Sequence, residues 1–441
     1  MSGGIETASV PTSARGYEHT SPSDTGPARP AAPAHPSAPG RISRPDLSTF
    51  LLGLTVLVVA ANLRPAITAV GSVIGHIAAD TGLPTASLGL LGAVPLLAFA
   101  VVSPLVHLVS VRLGTERAVF FAVIVLIAGT VIRSLPGLQA NLWIGTAILG
   151  AAIAVCNVLV PSIVKRDFPN NIAVMTGAYS AVISAFAALA SGLAVPLSEW
   201  GGWRLGIGVW AVLSVVSAIV WIPRLRHRRP VAPVVTGSST STTGSMWTSP
   251  VAWHVTFFMG LQSTSFYLLI TWLPEIEEHG GTAIAVAGWH LFAFQIIGIA
   301  GGLGITAFMG RRADQRLVGV LVSVLMICAM IGLLLAPQLV ILWVLIGGLS
   351  CGSSLVVALT LVGLRSRTAS DATRLSGMVQ GVGYLLAAFG PIGSGLLIDA
   401  TGWWSAPLVL VIGIASIQLV FAMLAGRDRY THPEPIAVKE A

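Results

Sequence analysis

FLLGLTVLVVAANLRPAITAVGSVIGHI, residues 50–77, decides the fold class of this chain. It holds a single full charge, Arg64, and is longer than the ~20 apolar residues that cross a hydrocarbon layer as a helix. Arg64 sits within Ala61-Asn62-Leu63-Arg64-Pro65. A permanent charge that deep in lipid costs roughly 3 kcal/mol on insertion scales. Pro65 removes a backbone N–H and frees the carbonyl of Ala61, so a helix break is expected beside the charge. Such an expensive arrangement marks a residue that something uses.

The rest of the chain repeats the apolar pattern. Its 441 residues are 54% hydrophobic and 9% charged, with a mean hydropathy of +0.85; a soluble domain is about 25% charged. The expected spans are 48–77, 84–110, 117–135, 141–164, 171–196, 204–223, 250–273, 283–309, 316–336, 339–364, 375–398 and 406–425. The fold class is therefore an all-α polytopic membrane protein of twelve helices. Residues 1–47 read as a disordered cytoplasmic tail rich in Pro, Ala, Ser and Gly, without the apolar core of a cleaved signal. The segment 224–249 reads as a flexible cytoplasmic linker between six-helix bundles 48–223 and 250–425, and 426–441 as a second cytoplasmic tail.

Charge orients the spans. All of the 24 Lys and Arg except Arg64, Arg133 and Arg204 fall in tails and loops on the side of the termini. Positive charge marks the cytoplasmic side, which places both termini inside and the protein in the cytoplasmic membrane. Asp80, Glu199, Glu275, Glu277, Glu278 and Asp399 are expected at or beyond the outer boundary. Trp143, Trp200, Trp203, Trp272, Trp343, Trp403 and Trp404 are expected there as interfacial anchors, and Arg133 and Arg204 as snorkelling side chains. The basic balance of +7 then reflects loops facing anionic lipid rather than nucleic acid. Cys156, Cys328 and Cys351 lie in apolar runs and read as buried thiols without metal-ligand spacing.

The two halves repeat at an offset of 200 residues. Thr176-Gly177 matches Ser376-Gly377, Ala187-Ala188 matches Ala387-Ala388, and Gly202-Trp203 matches Gly402-Trp403. Six intervening spans leave both copies in the same orientation, the parallel arrangement of the major facilitator fold, with its site at mid-membrane between the halves. The same offset sets Thr264 opposite Arg64, so one wall of the site should be cationic and the other neutral.

Four stretches carry a family resemblance: Asn62-Leu63-Arg64-Pro65, Asn157-Val158-Leu159-Val160-Pro161-Ser162, Thr271-Trp272-Leu273-Pro274 and Gln380-Gly381-Val382-Gly383-Tyr384. On these the chain resembles the cyanate/nitroimidazole permease family of the major facilitator superfamily. The superfamily's loop signature after span 2 is kept at Gly114 and Arg117, whereas Val111 stands where an acidic residue is usual. The resemblance implies a permease for small anions or nitroaromatics.

Arg64 is the expected substrate anchor, because guanidinium offers fixed donors to planar anions. Asn62, Tyr179, Gln262, Tyr267, Gln380 and Tyr384 are the expected polar and aromatic contacts, with Pro65 as the helix break. Each has a plainer alternative, since polar side chains commonly join helices in lipid. His290 in span 8 could carry a coupling proton, its ordinary pKa being near neutrality. No cofactor, metal ligand set or catalytic constellation is expected. The expectation is a monomeric, non-enzymatic secondary transporter that contacts membrane lipid, moves a small anionic or planar electron-rich solute and works by alternating access. A drug or toxin exporter of the same fold and a non-transporting membrane receptor are the rivals.

Overall fold

The computed structural model describes residues 47–169, 171–226, 245–309, 314–367 and 369–431. Most of the expected N-terminal tail, linker and C-terminal tail, together with Arg311 and Arg312, lies outside these residues.

Among the described residues there are twelve crossings and no strands. Span 1 is built from α1 (Leu47–Ala60), α2 (Pro65–Ser72) and α3 (Ile74–Thr81), and span 2 from α4 (Thr85–Val102) and α5 (Val106–Leu113). Spans 3 and 4 are α6 (Thr115–Ser134) and α7 (Gln139–Asp167). Helix α8 (Ile172–Gly208) holds span 5 and the start of span 6, which α9 (Trp210–Arg226) completes. The second half comprises α10 (Pro250–His279), α11 (Ile284–Met309), α12 (Arg316–Leu335), α13 (Val340–Leu364), α14 (Ala369–Thr401) and α15 (Ala406–Ala425), which are spans 7 to 12.

Ten of these helices are long and apolar enough to cross a membrane on their own account. The other two crossings have identifiable reasons to fall short. Span 6 is divided between the end of α8, which follows the turn at Gly201 and Gly202 (φ −146° and +77°), and α9, whose 17 residues fall short by themselves. Span 7 carries the polar run Gln262-Ser263-Thr264-Ser265 and three glutamates near its end. The duplication is visible in the backbone: Gly202 and Gly402 both turn the chain with positive φ, +77° and +65°, a conformation that costs glycine little.

The halves meet most closely toward the face opposite the termini. Spans 1 and 7 touch where a Cβ on Gly71 would overlap the Ile270 carbonyl, and spans 2 and 11 where one on Gly89 would overlap that of Pro391. Spans 5 and 8 are joined by Gln295, whose Nε2 donates to Ser191 Oγ at 2.8 Å. Asp399 of span 11 accepts from the Ala86 N–H at 2.7 Å, capping the N-terminus of span 2. Toward the terminal face the packing around several glycines is looser. A Cβ built on Gly177, Gly304, Gly377 or Gly381 would have nothing within 4 Å. The tightest contacts between the halves therefore lie toward the far face.

Several expectations change. Span 7 continues to His279, two turns past its expected end, so Glu275 and Glu277 lie on a helix and are buried. Trp272 is fully buried rather than interfacial, its indole N–H donating to the Pro391 carbonyl at 3.0 Å. Trp203 is buried as well and donates to Asp80. Arg133 does not snorkel. It is 1% exposed and donates to the Ala66 and Ile207 carbonyls, because its face of span 3 turns toward spans 1 and 6. Cys328 is exposed at the helix periphery, while Cys156 and Cys351 are buried.

Candidate substrate site

The break in span 1 is where the site begins. Asn62 and Leu63 donate to Val59 and Ala60 in tightened turns, and Pro65 opens a new helix for which Arg64 is the N-cap, at φ −124°. Proline suits this first position because its missing N–H would have had no partner there. The break lets the Arg64 side chain leave the helix axis toward span 7. Its guanidinium carbon lies 5.4 Å from the ring centroids of both Phe266 and Tyr267, within the reach of cation–π attraction.

Tyr267 in turn meets Tyr384 of span 11 edge to face at 6.4 Å, and Tyr384 meets Phe99 of span 2 at 5.4 Å. Tyr179 of span 5 is within electrostatic reach of Tyr384, and Cys351 of span 10 within that of Arg64. Spans 1, 2, 7 and 11, drawn from both halves, thus converge on one guanidinium and a set of rings. Two polar atoms in this cluster are buried without a hydrogen-bond partner, Arg64 Nη1 and Tyr267 Oη. Leaving such groups unmade costs about 1–3 kcal/mol each, more for a charge. The arrangement can donate to a flat, oxygen-bearing group while rings enclose the body attached to it. Thr264, the counterpart of Arg64, spends its hydroxyl on the Gly260 and Leu386 carbonyls, leaving that wall neutral.

Of the side chains expected from sequence, Arg64, Tyr179, Tyr267 and Tyr384 are brought together. Gln380 lies one turn nearer the terminal face, bonded to Ser376 at 3.0 Å. Gln262 is buried against Ser263 and Met259. Asn62 does not join the cluster: its amide is held by Val58, Ser214 and Ser217, tying span 1 to span 6. Phe99, Phe266 and Cys351 were missed. Phe266 follows Gln262 by four residues, a usable signal, whereas nothing local distinguishes Phe99 or Cys351 in uniformly apolar helices.

Away from the rings, His290 Nδ1 lies 2.6 Å from Glu277 Oε2, and Glu277 Oε1 is buried without a partner. Beyond the closure, a cavity of about 730 Å³ is lined by residues including His76, Trp272, Glu275, Glu278 and His279. Its acidic wall makes it unlike the cluster at Arg64.

The family model described as Major Facilitator Superfamily matches residues 51–363. The chain belongs to the major facilitator superfamily. This transporter is 41% identical to YycB, an uncharacterized transporter of Bacillus subtilis, over 87% of this chain and 95% of that one. It is 40% identical to the 2-nitroimidazole transporter of Escherichia coli over 85% and 95% of the two chains. To the cyanate transport protein CynX of the same organism it is 26% identical over 84% and 96%. The resemblance carried by Arg64-Pro65 and its companion stretches therefore extends to whole relatives in the cyanate/nitroimidazole permease group. Among solved structures, an inward-facing, occupied bacterial homologue of the lysosomal transporter Spinster matches with a TM-score of 0.72. That match has 19% identity and covers 88% of this chain and 99% of the other, a likeness of fold. The transporter is accordingly a multi-pass secondary carrier of small molecules in a lipid membrane, and not an enzyme.

Proposed function

We propose that this permease carries a small, flat solute bearing an anionic or nitro group, with Arg64 as the cationic anchor. The observation that supports this reading most is the half-buried guanidinium set against the Phe266 and Tyr267 rings with Nη1 free to donate. Rings attract the edge or face of a planar body, and a guanidinium pairs with two coplanar oxygens. The names of the 2-nitroimidazole and cyanate relatives fit the same chemistry.

In this reading Arg64, Tyr179, Tyr267 and Tyr384 touch the solute, and Gln380 and Gln262 line the route to the terminal face. On the argument from positive charge the terminal face is cytoplasmic, and the close packing toward the far face fits an inward-facing state of an alternating-access cycle. The protein acts as a monomer of the cytoplasmic membrane. His290 with Glu277 is the candidate for a coupling proton, since no carboxylate pairs with Arg64 among the described residues.

The test is thermal stabilisation of purified protein by 2-nitroimidazole, nitrobenzoate and cyanate, paired with uptake into proteoliposomes. Arg64→Gln should abolish both the stabilisation and the uptake while the protein stays folded, and Arg64→Lys should recover part of the binding. Unchanged binding and uptake in a folded Arg64→Gln protein would sink the proposal and favour a carrier of uncharged aromatic cargo.

A further inference from the structure

Arg133 carries a charge that its surroundings leave uncompensated. Its Nη1 donates to the Ala66 carbonyl at 2.6 Å and its Nη2 to the Ile207 carbonyl at 3.1 Å, while its Nε is buried without a partner. Both acceptors are neutral, and no ion pair to Arg133 occurs among the described residues. A buried cation without a counter-charge is among the costliest groups a protein can hold.

Arg133 lines a small cavity of about 140 Å³ inside the first half, at its far face, together with Asp80, Gln139, Trp203 and Arg204. Arg204 Nη1 pairs with Asp80 Oδ2 at 2.9 Å, and the Trp203 indole N–H donates to the same oxygen at 3.1 Å. Arg204 Nε, like Arg133 Nε, is buried and unpartnered. The charges around the cavity are thus two guanidiniums against one carboxylate, and one monovalent anion completes the balance. At roughly 30 Å³ per water, the space suits a halide or nitrate with a few waters, and is too small for an aromatic solute with its shell.

We propose that this cavity binds a small inorganic monovalent anion, at a site separate from Arg64. The site has a mechanical connection to the substrate helix. The Ala66 carbonyl that Arg133 holds lies just past the Arg64-Pro65 break, so an anion that fixes Arg133 steadies the base from which Arg64 projects.

The experiment titrates chloride against gluconate at constant ionic strength and follows thermal unfolding of the purified full-length protein in detergent. Wild type and Arg64→Gln should both show a saturable rise in Tm of several degrees with chloride, and bromide and nitrate should substitute. Arg204→Gln should at least halve that rise. Asp80→Asn removes the competing negative charge and should lower the half-saturating chloride concentration severalfold. Equal behaviour in chloride and gluconate would overturn the proposal, as would loss of the effect in Arg64→Gln, which would place the anion at the central site. A shift produced by added phosphatidylglycerol and not by chloride would show a lipid phosphate in place of a free ion and also overturn it.

Discussion

The Tyr267 hydroxyl and Arg64 Nη1 are neighbouring buried groups, and the contact between them falls short of a well-formed hydrogen bond. A hydroxyl without a partner destabilises the fold that contains it, so removing it should not cost stability. Tyr267→Phe is therefore expected to unfold at the same temperature as the wild type or a few degrees higher. If the hydroxyl reaches the solute, the same change should weaken binding about tenfold, the loss of one net hydrogen bond. A fall in Tm with unaltered affinity would show that Tyr267 is only a packing residue. Arg64 itself is legible in the sequence, because a charge followed by proline inside an apolar run has few cheap explanations. Its ring partners are legible only in part: Tyr267 and Tyr384 stand out as polar aromatics and Phe266 follows Gln262 by four residues, whereas Phe99 looks locally like any other apolar residue of its helix.

Span 1 and span 7 form one side of the far closure, and the decisive position there is a glycine. The Gly71 backbone lies so close to the Ile270 carbonyl that any side chain would displace one helix from the other. Gly71→Val should therefore destabilise the closed far face without touching the ring cluster. With the three native cysteines removed, a cysteine replacing Thr271, which is 6% exposed, should resist a membrane-impermeant thiol reagent in the parent. In the Gly71→Val background it should react at least several times faster. Equal reactivity would mean that this contact does not hold the closure. The ends of span 7 show the limits of a hydropathy argument. Glu275 and Glu277 signal water by composition, yet neighbouring helices cover both and His290 partners Glu277.

The whole molecule obeys a pseudo-two-fold relation between its halves. Exchanging them turns the contact of spans 2 and 11 into that of spans 8 and 5, and both contacts lie on the far face. Asp399 capping span 2 and Gln295 reaching Ser191 are therefore expected to act in the same direction, each favouring the far-closed state. A bias of this kind shifts populations only by the contacts that differ between states. Replacing both, Asp399→Ala with Gln295→Ala, should raise the population closed on the terminal face. Cysteines at Gly177 and Gly304, in spans 5 and 8 where the halves part, should then form a cross-link several times more readily than in the parent. No increase would mean that other contacts set the balance.

Apolar length, the 200-residue repeat and the Lys/Arg asymmetry were enough to specify twelve membrane helices in two like-oriented halves. Each is a property of one segment or one pair of segments, because lipid accepts or rejects a helix by its own composition. They also singled out Arg64 and Pro65, since a charge and a helix breaker in lipid are costly wherever they point. Tertiary structure alone decided which helix faces meet. It buried Arg133 and Trp272, exposed Cys328 and turned Asn62 toward span 6. It also gathered Phe266, Tyr267, Tyr384 and Phe99 into one cluster beside Arg64 and packed the halves tightly toward one face. The physical reason is that lipid and protein interior are both apolar, so a helix in a membrane carries little sequence record of the side it turns inward.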